Sequence, residues 1–378
     1  MKKIVCILLL VGNIVFAQQA FHNFGNLKIH ENGQLGFHID LINDGTFNQN
    51  AGLAGFYNQS NSLKISGTNA PMFFNLEVDV INDLFLDIST EISNALIYVE
   101  GKIVTPRENP SITLQFLDDV VYGMEDYIRY TDGYASYSGK NAFTFPIGHD
   151  DMLRPISIPF NNTVGRFSAA YFNEDYNYNP AFQETFNNSI SNDIIKNISI
   201  NEFWDFNGTT ETKITLSWNP QSEINSLTED LQNLRVIGWN VIENQWIDLG
   251  NEEINGNLNS GTITSAPFIP NDYLMISFGS LTGIADITVY NEFSPNNDGV
   301  NDTFVIKGIK RFENKLQIFN RSGKIVYETT NYQNDWNGEA NSSLLLDKNK
   351  ELPIGTYYYI LELPNENKKY ASWIYINR

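Results

Sequence analysis

The chain has 378 residues, with 24 Lys and Arg against 44 Asp and Glu, for a net charge of −20 at pH 7. That length accommodates two or three domains, each with its own core. The acidic balance excludes a nucleic-acid binder, because neutralising phosphates needs clustered Lys and Arg.

The first seventeen residues have the pattern of a secretory leader. Lys2-Lys3 precede the apolar run Ile4 to Phe16, and Ala17 offers a small residue at the cut, so a signal peptide over residues 1–17 is predicted. No later apolar run is long enough to span a bilayer as a helix. The single cysteine, Cys6, lies within that leader, so the mature chain is expected to have no thiol. Disulfides, cysteine zinc sites and thiol nucleophiles are thereby excluded.

The chain contains 50 asparagines and 13% aromatic residues, with only 18% charged. That mixture suits strands punctuated by turns better than helices. Across residues 18–150, apolar doublets at i, i+2 recur: Leu27/Ile29, Leu35/Phe37, Leu63/Ile65, Leu76/Val78 and Leu96/Tyr98. Between them stand turn signals such as Asn32-Gly33 and Asn43-Asp44-Gly45. Strands this short, with turns this frequent, predict a β-solenoid, with a small sandwich as the alternative. The stretch from Leu41 to Val78 resembles the parallel β-helix segments of secreted Bacteroidota surface proteins. From Asp118 to Phe160, Pro146, Pro155 and Pro159 bracket short extended pieces and mark a junction.

Residues 151–280 show longer alternating runs, in "KITLSWNP", "LRVIGWNVIENQWIDLG", "GTITSAPF" and "DYLMISFG". Turn signals between them predict a central antiparallel β-sandwich. The window Ser222 to Leu234 reads as a loop or a single helical turn, and Gly279 to Ile287 as a hinge of small residues. Residues 286–378 hold roughly half of the lysines and arginines, and about seven short strands predict a C-terminal Ig-like β-sandwich. The predicted class is all-β throughout.

Four blocks in this last module carry a resemblance. The first is Phe293-Ser294-Pro295-Asn296-Asn297-Asp298-Gly299-Val300-Asn301-Asp302, and the second is Leu316-Gln317-Ile318-Phe319-Asn320-Arg321-Ser322-Gly323. Trp336-Asn337-Gly338 follows, then Leu352-Pro353-Ile354-Gly355-Thr356-Tyr357-Tyr358-Tyr359. In order and spacing they resemble the type B sorting domain of the type IX secretion system, the gliding-motility-associated C-terminal domain. Asn337 stands where that family prefers Asp. The resemblance covers about a quarter of the chain. It implies export across the outer membrane by the type IX machinery and display at the cell surface. The layout also resembles small surface proteins encoded beside PorP/SprF-like outer-membrane barrels, which implies such a barrel as a partner.

The first block reads physically as a tight loop. Pro295 presets φ, Asp298-Gly299 makes the turn, and the Asn301 and Asp302 side chains cap free backbone donors. Calcium is the alternative, because Asn296, Asp298 and Asp302 fall at positions 3, 5 and 9 of an EF-like loop with Gly299 at position 6. Ser294 at position 1 and Val305 at position 12 leave two ligands missing. No other cofactor is expected.

No serine-hydrolase elbow, P-loop or zinc-binding His-Glu pair occurs. His22, His30 and His38 are spaced eight apart, which stacked rungs would align; with His149 they read as solvated or turn-capping residues. Asp118-Asp119, Asp150-Asp151 and Glu252-Glu253 are adjacent acids, whose side chains point to opposite faces of a strand and read as solvated loops. Trp239 and Trp246 fit core aromatics on paired strands, or a sugar-stacking platform. The expectation is a non-catalytic protein for adhesion or attachment at the cell surface. The alternatives are a secreted hydrolase acting on polysaccharide and a structural component of a surface assembly.

Overall fold

A computed structural model describes residues 20–179, 186, 194–282, 287–341 and 351–378. The predicted signal peptide lies outside them. The chain is all-β, with 51% strand, and a single α-helical turn, Ile224–Leu227, occurs among the described residues. Contacts group it into two compact units, one reaching Phe172 and taking in Asn207–Thr210, the other Asn173–Phe206 with Glu211–Arg378.

The first unit is built from parallel coils. Ala20–Asn23, Asp40–Asn43, Leu63–Gly67 and Leu84–Leu86 stack in one parallel sheet. Gln34–Phe37, Leu53–Asn58, Met72–Val80 and Thr90–Glu100 stack in the other. Gln34 faces Leu53 and Leu41 faces Ile65, steps of 19 and 24 residues, so each coil is a rung of a β-solenoid. Alternation turns one side chain in two inward. Phe37, Phe56, Val78 and Tyr98 therefore line up, one above the next, as a buried row. Phe37 and Phe56 stack with centroids 4.8 Å apart. With coils of this length, histidines eight residues apart do not share a ladder. His22 instead meets the Asp44 carboxylate at 2.6 Å, and the His38 ring lies 3.1 Å from the Tyr57 carbonyl.

At one corner the coils are joined through asparagine. Asn43 is fully buried. Its side-chain oxygen accepts from the Asn23 amide at 2.7 Å, while its own amide donates to the Asn69 carbonyl at 2.7 Å. Its backbone carbonyl accepts from Thr68 and Asn69 at 3.1 and 3.0 Å. A side chain that both accepts and donates thus ties three successive coils together. Gly45 follows because a Cβ there would lie 2.1 Å from the Gly25 carbonyl oxygen of the preceding coil.

Parallel stacking gives way where Ala135–Gly139 pairs antiparallel with Gly165–Phe172, and Ile147–His149 with Met152–Leu153. Two polar clusters hold this junction. Arg107 bonds the Asp132 carboxylate at 2.6 Å, donates to the carbonyls of Gly148 and Tyr171, and lies over the Phe172 ring. Asp118 accepts from the Tyr137 hydroxyl at 2.6 Å and from the backbone amides of Lys140 and Asn141. Asp118 is thus a turn anchor and not a loosely solvated acid.

In the second unit, Tyr273–Leu281 runs antiparallel to both Leu234–Asn240 and Ile195–Ile198. Thr215–Trp218, Ser260–Thr264 and Glu253–Asn257 form a second antiparallel sheet. Trp204 and Trp218 pack edge-on against Phe278, with centroids 5.4 and 6.3 Å away. Gly279, expected to open a hinge, is a buried strand residue close against Ile237, because the strand continues to Leu281. Residues 283–286 of that predicted hinge lie outside the described residues. The window from Ser222 to Leu234 holds the helical turn Ile224–Leu227 between short 3-10 turns.

Replacing Asn43 by Leu keeps the volume but takes an acceptor from the buried Asn23 amide and a donor from the Asn69 carbonyl. The expected loss, measured by denaturant unfolding, is about 3 kcal/mol. Stability should also depend on Asp118 in a pH-specific way. The Tyr137 hydroxyl, and then the Lys140 and Asn141 amides, hold its carboxyl below the usual carboxylate range. A depressed folded-state pKa stabilises above the unfolded value near 4, and that contribution is lost as pH falls through the folded value. Asp118→Asn should therefore destabilise the protein at pH 7, and the gap to wild type should narrow by pH 3; an equal gap at both pH values would contradict this.

Candidate functional site

Among the described residues, the last module has seven strands in two sheets. Thr288–Val289 pairs with Ile306–Lys307. The larger sheet runs in the order Glu292–Phe293, Lys368–Ile376, Gly355–Leu363, Lys315–Phe319, Ile325–Thr330. Its inner face carries Phe293, Leu316, Ile318, Tyr357, Tyr359, Leu361 and Ile374, which close over Phe304, Tyr332 and Trp336. Phe293 and Trp336 lie 5.3 Å apart by ring centroid, and Phe304 and Tyr359 5.6 Å. The polar ends of Trp336 and Tyr332 are satisfied. The Trp336 indole donates to the Glu339 carbonyl at 2.8 Å and the Tyr332 hydroxyl to the Phe304 carbonyl. Burial pushes the Tyr332 phenol well above its ordinary range, so it stays a donor.

The loop that follows Phe293 is organised by Asp302. Its Oδ1 accepts from the backbone amides of Asn296 and Asn297 at 3.1 and 2.7 Å, and its Oδ2 from Gly299 at 2.8 Å. Asp298 accepts from the Val300 amide at 2.8 Å, and Asn296 from the Asp298 amide at 3.0 Å. The Asn296 amide and the Val300 N–H hold the Asp298 carboxyl below its usual range. Gly299, at φ 86°, supplies the left-handed turn. Asn301 contributes differently from expectation. It sits at φ 54°, and its backbone carbonyl, not its side chain, accepts from the Ser294 amide at 2.7 Å.

This network bears on calcium. Both Asp302 oxygens and Asp298 Oδ1 face N–H donors, while Asp298 Oδ2 takes the Asn296 side-chain amide at 2.9 Å. These oxygens accept hydrogen bonds from within the loop, and among the described residues no group of three or more His, Cys, Asp or Glu could hold a metal.

The other blocks divide between turns and strands. Asn320 caps its hairpin, with its side chain accepting from the amides of Ser322 and Lys324 at 3.0 Å each, and Gly323 takes φ 74°. Arg321 is exposed at that turn. Gly338, at φ 83°, lies near Pro295 and Arg378, and its carbonyl accepts from Leu352 at 2.9 Å. Gly355 and Thr356 pair with Ile376 and Tyr375, and the Tyr357 hydroxyl donates to the Pro353 carbonyl at 2.9 Å. Phe319 faces Tyr358 across the sheet, on the side away from the core. The four blocks thus assemble one folded module.

Sequence reading missed one residue here. Arg311 donates to the Asn233 side chain at 2.7 Å and to the Thr282 carbonyl at 2.6 Å, fastening the module to the preceding sandwich within the second unit. Elsewhere, Trp239 and Trp246 face each other on paired strands, both buried, with centroids 5.7 Å apart in a T-shaped contact. That geometry makes them core and removes the sugar platform. Asp151 pairs with Lys102 at 2.8 Å, and Glu252 with Lys213.

Residues 287–376 match the CHU_C type IX secretion signal domain. No curated protein and no solved structure matches the chain. The last module is therefore a type IX secretion signal domain, which directs export across the outer membrane to the cell surface or the extracellular space. Among the described residues, no helix is long and apolar enough to cross a membrane.

Asp302→Ala should unlock the loop, because three backbone amides lose a charged acceptor. The expected cost is about 2 kcal/mol in denaturant unfolding. Calcium up to the millimolar range should leave the melting temperature of the wild-type protein unchanged; a calcium-dependent rise lost in Asp302→Ala would assign a metal to this loop.

Proposed function

We propose that this is a surface-displayed, non-catalytic protein of adhesion or attachment, delivered by its signal domain and held at the outer membrane by a PorP/SprF-like barrel. The predicted leader over residues 1–17 supplies the first step, export to the periplasm, and the signal domain the second. The observation that carries the reading is the joining of a type IX signal domain to a β-solenoid in one chain. A solenoid offers a ladder of outward side chains at fixed spacing, suited to contact over an extended surface. Here Gln34, Asn75 and Glu77 lie beside Ile97 along a groove of about 610 Å³. Display without catalysis is supported by the way the candidate acids are spent. Asp118 anchors a turn, and Asp151 and Glu252 are neutralised by lysines.

The test is made in a host with a working type IX system. The full chain should appear at the cell surface and co-purify from solubilised outer membranes with a barrel protein of PorP/SprF type. A chain ending at residue 286 should accumulate in the periplasm. Recovery of the intact chain only as free extracellular protein would remove the barrel, and turnover of a polysaccharide by purified protein would favour the hydrolase.

A further inference from the structure

The outer face of the larger signal-domain sheet has an unusual distribution of side chains. Strand register places Ile325 opposite Phe319, Phe319 opposite Tyr358, and Tyr358 opposite Trp373. Directly opposed residues of antiparallel strands share a face. Four apolar side chains therefore form a row across four strands, about 14 Å long at the usual spacing of about 4.8 Å between strands. Tyr358 and Trp373 remain 52% and 49% exposed. Beside the row lies a groove of about 470 Å³ bounded by Phe319, Arg321, Tyr358 and Ile360.

Charge is divided along this face. At the far end the charged groups are paired: Lys369 with Glu362 at 2.8 Å, and Lys315 with Glu328 at 3.8 Å. At the aromatic end, Arg321 and Lys324 are both exposed on the hairpin turn, and neither pairs with a carboxylate among the described residues. The surrounding composition sharpens the contrast. Residues 287–378 contain 11 Lys and Arg against 11 Asp and Glu, leaving 13 against 33 in the rest of the chain. Among the described residues the aromatic end is thus a patch of unpaired positive charge, on a module of balanced charge attached to a strongly acidic remainder.

We propose that this row, with Arg321 beside it, is the surface through which the export machinery reads the signal domain. The occupant is a protein segment of that machinery presenting an apolar or aromatic side chain next to a carboxylate. Half-exposed aromatics supply contact area at low entropic cost, and a guanidinium adds a directional bidentate contact to a carboxylate. An acidic partner would also bind the neutral module in preference to the −20 remainder, which repels it. The inference rests on residues 287–376 being the export signal, and it specifies which part of that domain is recognised.

The experiment uses the full-length chain in the type IX-competent host, comparing periplasmic with surface and secreted fractions. Arg321→Glu and the double variant Tyr358→Ser/Trp373→Ser should each lower export about ten-fold or more, the scale expected for losing interface hot-spot residues. Near-ultraviolet circular dichroism and the thermal midpoint of the purified variants establish that the fold is kept. Arg321→Glu, at an exposed turn, serves where the double variant is destabilised. Lys369→Ser, on the same face at its paired end, should export normally. Deletion of 287–378 separates two failures. If deletion blocks export while folded Arg321→Glu and Tyr358→Ser/Trp373→Ser pass, the surface is wrong but the signal stands; if the deleted chain is exported normally, the reading beneath it is wrong. Normal export combined with loss of self-association, or loss of glycan binding, in the aromatic variants would reassign the row to a second copy or a sugar and overturn the proposal.

Discussion

Parallel coils can stack only if the corners between their strands find partners for backbone groups that the ladders leave over. An unpaired buried carbonyl or amide costs as much as several apolar contacts supply. In this solenoid the side chain of Asn43 resolves the problem by accepting from one coil and donating to the other. The same chemistry recurs at a second corner. The Asn50 side chain accepts from the Ile29 amide at 2.8 Å and donates to the Met72 carbonyl at 2.6 Å. With corners pinned in this way, the strands between them stay in register, and the row from Phe37 to Tyr98 follows from alternation alone. Register comes first and the hydrophobic core is its consequence, since a one-residue slip would turn that row to solvent.

The abundance of asparagine thereby acquires two physical roles. Besides the corner ladders, 7 of the 13 non-glycine residues with positive φ among the described residues are Asn and 4 are Asp, the residue types whose short polar side chains tolerate the left-handed region. In the signal domain both roles meet. Asn320 caps the hairpin through its side chain, while Asn297 and Asn301 take the left-handed turns of the Asp302 loop. A chain with no cysteine after its predicted leader has no disulfides to fix its loops, and these local hydrogen bonds perform that task instead.

Much of this was legible in the amino-acid order because it is local. Doublets such as Leu63/Ile65 bounded by Asn and Gly announce short strands, and the four blocks of the last module announce its family. What escaped notice depends on the third dimension. The coil length shows only when Gln34 is seen to face Leu53, so the eight-residue spacing of the histidines suggested a ladder that does not exist. Gly279 looked like hinge material because composition cannot reveal that a strand passes through a glycine packed on Ile237. Arg311 had no local signal at all, since its partners Asn233 and Thr282 stand 78 and 29 residues away in the chain. The "TYYYI" run falls between these cases. Alternation shows that Tyr358 must face away from Tyr357 and Tyr359, but not that Trp373 will stand opposite it.

That last distinction bears on why an export signal takes the form of a folded domain. Phe319 and Tyr358 are 39 residues apart, and Tyr358 and Trp373 another 15, so the row they form has no counterpart in the unfolded chain. It exists only once Phe293, Phe304, Tyr332 and Trp336 have been buried and the strands have taken their register. A linear signal would be readable on a misfolded molecule; a row assembled across four strands is not. The stability of the inner face and the legibility of the outer face are consequently one property. Damage to the Asp302 loop or to the aromatic core would reach the reading surface without touching any residue on it, whereas Arg321, exposed on its turn, can be changed with the core left intact.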